Sequence, residues 1–133
     1  MHPRLTEEWP DIVATYPDAA HRMPPERVEL TIELDAVTYC SPHTPIAVLI
    51  PAGYRVAGPD GFLVPNGLTM TGGGALPASD AAGIGMPGWL LVSFHMVDSN
   101  GHTTWRPTAD PHRGDNIIGY IASIEAFLAR GCN

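Results

Sequence analysis

The stretch RVELTIELDA, residues 27 to 36, decides the fold class. Val28, Leu30, Ile32 and Leu34 alternate with Glu29, Thr31 and Glu33. A period of two puts the four apolar side chains on one face of a strand and the polar ones on the other. A strand wet on one face belongs in an antiparallel sheet whose other face is covered.

Working outward from it, IAVLIP (46–51) reads as a second, continuously apolar strand, and FLVP (62–65) as a short third one ended by proline. WLLVSFHMV (89–97) reads as the fourth. In that strand Ser93 and His95 share a face with Leu91 and Val97, while Val92, Phe94 and Met96 point the other way. The link AGYRVAGPDG is rich in turn residues, and DSNGH carries the Asn-Gly pair of a tight turn. Residues 66–88 hold many glycines and prolines and read as a long loop with little apolar surface to anchor it. Its TGGGA lacks the lysine and helix start of a phosphate cradle, so no nucleotide or other cofactor is expected.

Helices are expected at both ends. Thr6 is placed to cap a short first helix, with Trp9, Ile12, Val13 and Tyr16 at helical spacing and Pro10 tolerable only near the start. PDAAHRMPP (17–25) then breaks the chain. Asp115 or Asn116 opens the last helix, whose Ile117, Ile121, Ile124 and Leu128 form one stripe to pack across the sheet, with Gly131 as its stop. The expectation is an α+β fold: a four-stranded antiparallel meander flanked by helices, in a single domain over 1–133 with its core at about 28–130.

Composition narrows the function classes. The formal net charge of -7 argues against nucleic acid and anionic membranes, both of which call for basic patches. No apolar run approaches a membrane span, and MHPRLTEEWP has no signal-peptide pattern, so a soluble cytoplasmic protein is expected. Cys40 and Cys132 have no zinc-finger or CxxC spacing, and nothing in their spacing supports a disulfide.

The order helix, four strands, helix is also the core of the ubiquitin-conjugating fold, and particular residues sharpen the likeness. IPAGY (50–54), FLVP (62–65), SFH (93–95) and WRP (105–107) stand in the order of the strand end, proline-ended strand, Ser-x-His strand and Trp-Arg-Pro exit of one bacterial branch. The chain thus resembles prokaryotic ubiquitin-conjugating-like family E over about residues 28–130. The resemblance implies a place in a bacterial ubiquitin-like modification pathway, with a ubiquitin-like modifier and a ubiquitin-activating-like enzyme as partners. Some such pathways resemble antiphage defence systems. A working conjugating enzyme carries a cysteine shortly before the Trp-x-Pro, preceded by His-Pro-Asn. This chain has neither, and neither Cys40 nor Cys132 matches that position.

A hydroxyl is the alternative nucleophile. His95 can take the proton of Ser93, so that an acyl group is held as an oxyester. Ser99 is the rival, nearer to where the missing cysteine would fall; Asp98 is placed to orient a histidine, and Asn100 or the loop backbone to steady an oxyanion. The bland reading is that these are ordinary polar residues of a sheet. The chain is then a catalytically silent binding module for the modifier or its activating enzyme. His95, His102 and His112 with Asp98 and Asp110 also raise a metal-dependent hydrolase, but their spacing matches no short ligand motif and no metal is expected.

Overall fold

In the computed structural model, residues 1–77, 79–80, 86–96 and 104–132 are described. The alternation of residues 27–36 becomes strand β2, Arg27–Glu33, with Val28, Leu30 and Ile32 all buried beneath the helices. It follows α1 (Pro3–Thr15) and β1 (Ala20–Arg22), and precedes β3 (His43–Leu49), β4 (Gly61–Pro65), β5 (Ser79–Asp80), β6 (Trp89–Ser93) and α2 (Ile117–Ala129). The class is α+β: among the described residues, two helices and an open antiparallel sheet with strand order β1-β2-β3-β4-β6-β5.

The four expected strands are β2, β3, β4 and β6, adjacent in that order. The count of four is corrected. β1 lies inside the stretch read as a break and forms an edge strand on β2, pairing Ala20 with Glu29 and Arg22 with Arg27. Three residues are too few to show an alternation, and polar links hold this edge: His21 Nε2 meets Glu26 at 2.7 Å, and Asp18 accepts the Thr31 N–H at 2.8 Å. The two-residue β5 adds to the far side of β6. β6 itself stops at Ser93, short of the expected end at 97; Phe94, just beyond it, packs in an aromatic cluster with Phe62, Tyr120 and Phe127.

β3 is continuously apolar over residues 46–49 because it is covered on both faces there. Ile46 and Val48 face the helices, whereas Ala47 meets Leu63 and Met86 on the opposite face, beside half-buried Leu49, Trp89 and Leu91. The described part of 66–88 is better anchored than its glycines suggest. Leu68, Leu76 and Met86 are buried, and Met70 bridges to Tyr39.

α2 forms as expected. Asn116 is its N-cap, accepting the Gly119 N–H at 2.9 Å, and Ile117, Ile121, Ile124 and Leu128 are all buried. Gly131, at φ 70°, supplies the left-handed turn that ends it. α1 departs from expectation at its start. Its N-cap is His2, whose Nδ1 accepts the Arg4 N–H at 3.1 Å, while the Thr6 hydroxyl returns to the His2 carbonyl from within the first turn. Pro10 therefore sits inside the helix, where its missing N–H forfeits one bond. Burial of Leu5 and Ile12 in the common core holds the helix through that gap. Among the described residues no helix is long and apolar enough to cross a membrane.

The two helices share a polar joint that the apolar pattern conceals. Glu8, 2% exposed, accepts from Arg4 Nε at 2.9 Å, from the Tyr54 hydroxyl at 2.6 Å and from the Ile117 N–H at 2.8 Å. It thereby supplies an acceptor to one of the unpaired donors at the α2 start. Arg4, 6% exposed, also donates to the Ala109 carbonyl at 3.0 Å.

Candidate functional site

The site candidates gather at the corner where β6 ends. Its geometry follows from the β4–β6 register, which pairs Gly61 with Ser93. A side chain is excluded at position 61, because a Cβ would stand 2.5 Å from the Val92 carbonyl oxygen. Beyond that pair the strands stay close: the Phe94 N–H donates to the Asp60 carbonyl at 3.4 Å. The Phe94 carbonyl in turn accepts the Tyr120 hydroxyl at 2.9 Å, which ties the corner to α2. Burial pushes the Tyr120 phenol well above its ordinary range, and the nearby Asp60 charge adds to the shift.

Ser93 is exposed, and no hydrogen bond joins it to His95. The expected serine–histidine couple is thus not assembled in this conformation, although both side chains line one open groove of about 600 Å³ with Phe94, Thr104, Ser123 and Arg130. His95 instead meets a carboxylate that the sequence reading missed. Its Nδ1 faces Asp60 Oδ1 at 3.7 Å, an ion-pair distance, with the imidazole half exposed and the carboxylate open to solvent. Both line a second cavity of about 300 Å³ with Pro59, Met96, Trp105 and Tyr120. Asp60 lay in a segment read only as a link; fixing the β4–β6 register beforehand is what would have placed it beside residues 94–95. Asp98, Ser99, Asn100 and His102 lie outside the described residues.

The Trp-Arg-Pro exit forms the other wall. The Trp105 indole N–H donates to the Arg55 carbonyl at 2.7 Å. Its ring packs against Gly58, where a Cβ would come within 2.5 Å, and lies 6.1 Å from the Tyr54 ring. The chain then doubles back. Arg106 and Asp115 exchange two bonds, and Pro107 pairs with Gly114, whose φ of 70° completes the return. This small loop delivers Asn116 to the α2 start.

Neither cysteine lines these cavities. Cys40 is exposed and bonds the Met70 carbonyl at 3.2 Å; Cys132 is buried beside the Tyr39 hydroxyl at 3.6 Å, and both thiols are free. Burial raises the Cys132 thiol above its ordinary range, and the Tyr39 bond only partly opposes this. Of the histidines raised as metal ligands, His95 meets Asp60 and His112 pairs with Asp11 of α1 at 2.6 Å, while His102 lies outside the described residues. Among the described residues no group of three or more His, Cys, Asp or Glu side chains is placed to hold a metal.

Chemically, the corner offers an imidazole between two cavities, a carboxylate on its Nδ1 side and an exposed hydroxyl nearby. Compared with models of known protein families, with curated proteins and with solved structures, the chain matches none.

Proposed function

We propose that this protein is a conjugating-enzyme-like component of a bacterial ubiquitin-like modification pathway, one that meets the modifier at the β6 corner without a cysteine. One observation carries the reading. The end of β6, the turn at 55–58 and Trp105 converge on one corner, with α2 packed behind it. The Trp-x-Pro resemblance puts the reactive group of a conjugating enzyme in the segment that joins β6 to this tryptophan. Here that segment contains Asp98 and Ser99, and Ser93 and His95 stand at its entrance.

In the active form of this reading, a hydroxyl of Ser93 or Ser99 carries the modifier as an oxyester. The test is incubation with the cognate activating enzyme, modifier and ATP. A wild-type adduct that survives thiol reductant and yields to hydroxylamine is expected, lost in Ser93→Ala or Ser99→Ala and slowed in His95→Ala. A second reading is favoured by the missing bond between Ser93 and His95: the corner is a silent docking module for the modifier or its activating enzyme. Binding of either partner without any adduct selects it. No adduct and no binding refute the pathway itself.

A further inference from the structure

The geometry points to Asp60 as the positioning carboxylate of His95, making the two a proton-transfer pair at the corner. This rests on the oxyester form of the proposed function and assigns a part in it that the sequence left to Asp98.

The argument begins with the register. Gly61 opposite Ser93 brings Asp60 alongside Phe94, and the Phe94–Asp60 backbone bond fixes that approach. His95 follows directly, so the two side chains meet because the strands meet. The contact uses Nδ1. An imidazole held by a carboxylate at Nδ1 keeps its tautomer, and Nε2 is left to accept a proton. The backbone beneath is stiff: Phe94 is bonded to Tyr120 on α2 and packed 4.7 Å from Phe127. At 3.7 Å the pair is looser than a hydrogen bond, as unliganded catalytic contacts often are before substrate closes over them. The half-exposed imidazole borders both cavities, so it is open to an incoming acyl group.

The step balances without further reagents. The incoming substrate is the modifier held as a thioester on the activating enzyme. His95 Nε2 takes the proton of the attacking hydroxyl as its oxygen bonds to the acyl carbon. The carbon–sulfur bond breaks, and the proton passes from His95 to the departing thiolate. Asp60 steadies the imidazolium in between and is not itself protonated.

Two measurements test the pair. The first needs no pathway partner: carbethoxylation of His95 by diethyl pyrocarbonate at about pH 8, where an ordinary imidazole is neutral, read by peptide mass spectrometry against exposed His43 in the same molecule. Asp60→Asn is expected to slow His95 by about two- to fivefold, the factor to which a weak, solvent-exposed carboxylate contact converts, because the carboxylate at Nδ1 makes Nε2 the better nucleophile. Asp60→Glu restores the rate, and His43 does not change. An unchanged His95 rate in Asp60→Asn overturns the proposal. The second is the rate of oxyester formation. Asp60→Asn slows it, yet adding Asp60→Asn to His95→Ala costs nothing more, because a positioning residue acts only through its partner. Additive losses overturn the proposal. If the wild type forms no adduct, the carrier reading fails, and the carbethoxylation result alone decides whether Asp60 and His95 act as a pair.

Discussion

Replacing Glu8 by alanine is expected to remove a large part of the fold's stability. The carboxylate takes three donors at once, from Arg4, Tyr54 and Ile117. Its loss leaves the Arg4 guanidinium 6% exposed and facing only the carbonyls of Ala109 and Asp110. Glu7 lies 3.9 Å from Arg4 Nη1 but is 57% exposed, too far into solvent to take over. Removing one partner of a buried pair costs about 3–5 kcal/mol. The bonds to Tyr54 and Ile117 share the same carboxylate, so they do not add in full. A loss of about 4 kcal/mol is therefore expected, a large part of the ~5–15 kcal/mol by which a domain of this kind is stable. Tyr54→Phe, which removes one hydroxyl from a charged acceptor, is expected to lose about 1.5–2 kcal/mol. The double variant Arg4→Met, Glu8→Leu is expected to lose less than Glu8→Ala alone, since no unpaired charge remains. Urea unfolding with midpoint and slope both fitted measures each loss. A Glu8→Ala loss below about 1 kcal/mol, within reach of an ordinary surface change, refutes the reasoning. So does a double variant as unstable as the single one.

Gly58→Ala is expected to displace the Trp105 ring, since the new Cβ would stand 2.5 Å from it. The Trp105 indole N–H resonance should move and its hydrogen exchange quicken as the bond to Arg55 loosens; an unchanged resonance argues against the packing. For Glu26, burial pushes the carboxyl up, but the His2 N–H and the His21 imidazole together outweigh it and hold the carboxyl below its ordinary value of 4.5. A depressed carboxyl stabilises the fold above its unfolded pKa and loses that contribution as pH falls through the folded one. Wild type should therefore lose stability over Glu26→Gln as pH drops below about 4.5, and parallel pH profiles would contradict this. Of the two thiols, exposed Cys40 should react quickly with a disulfide reagent at neutral pH and buried Cys132 slowly, because its thiolate is disfavoured. Two equally fast equivalents would contradict the burial.

Residues whose patterns repeat were legible beforehand. Val28, Leu30 and Ile32 announced β2, and Ile117, Ile121, Ile124 and Leu128 announced α2, because burial selects one face and periodicity records it. β1 was hidden because three residues held by an edge ladder carry no period. The pairing of Arg4 with Glu8 left no sign in the sequence, since charge pattern alone cannot distinguish a wet pair from one buried under Tyr54 and α2. The site was legible only where it is local. Ser93 and His95 stand two apart in sequence, yet their side chains do not bond. Asp60, 35 positions before His95, meets it through a strand register that no local pattern encodes.

The Glu8 joint bears on the order in which the molecule is made. The β2–β3 hairpin closes over a short stretch of chain, but the Ile117 N–H that Glu8 accepts lies 109 positions further on. At ~5–20 residues per second, Glu8 is made roughly 5–20 s before that partner. Through that interval its apolar stripe, Leu5 and Ile12, has no helix to meet, while Arg4 and Glu8 beside it remain hydrated. A pair that must shed water to enter the finished core thus stays hydrated until α2 arrives, and α2 is the clasp that closes the protein.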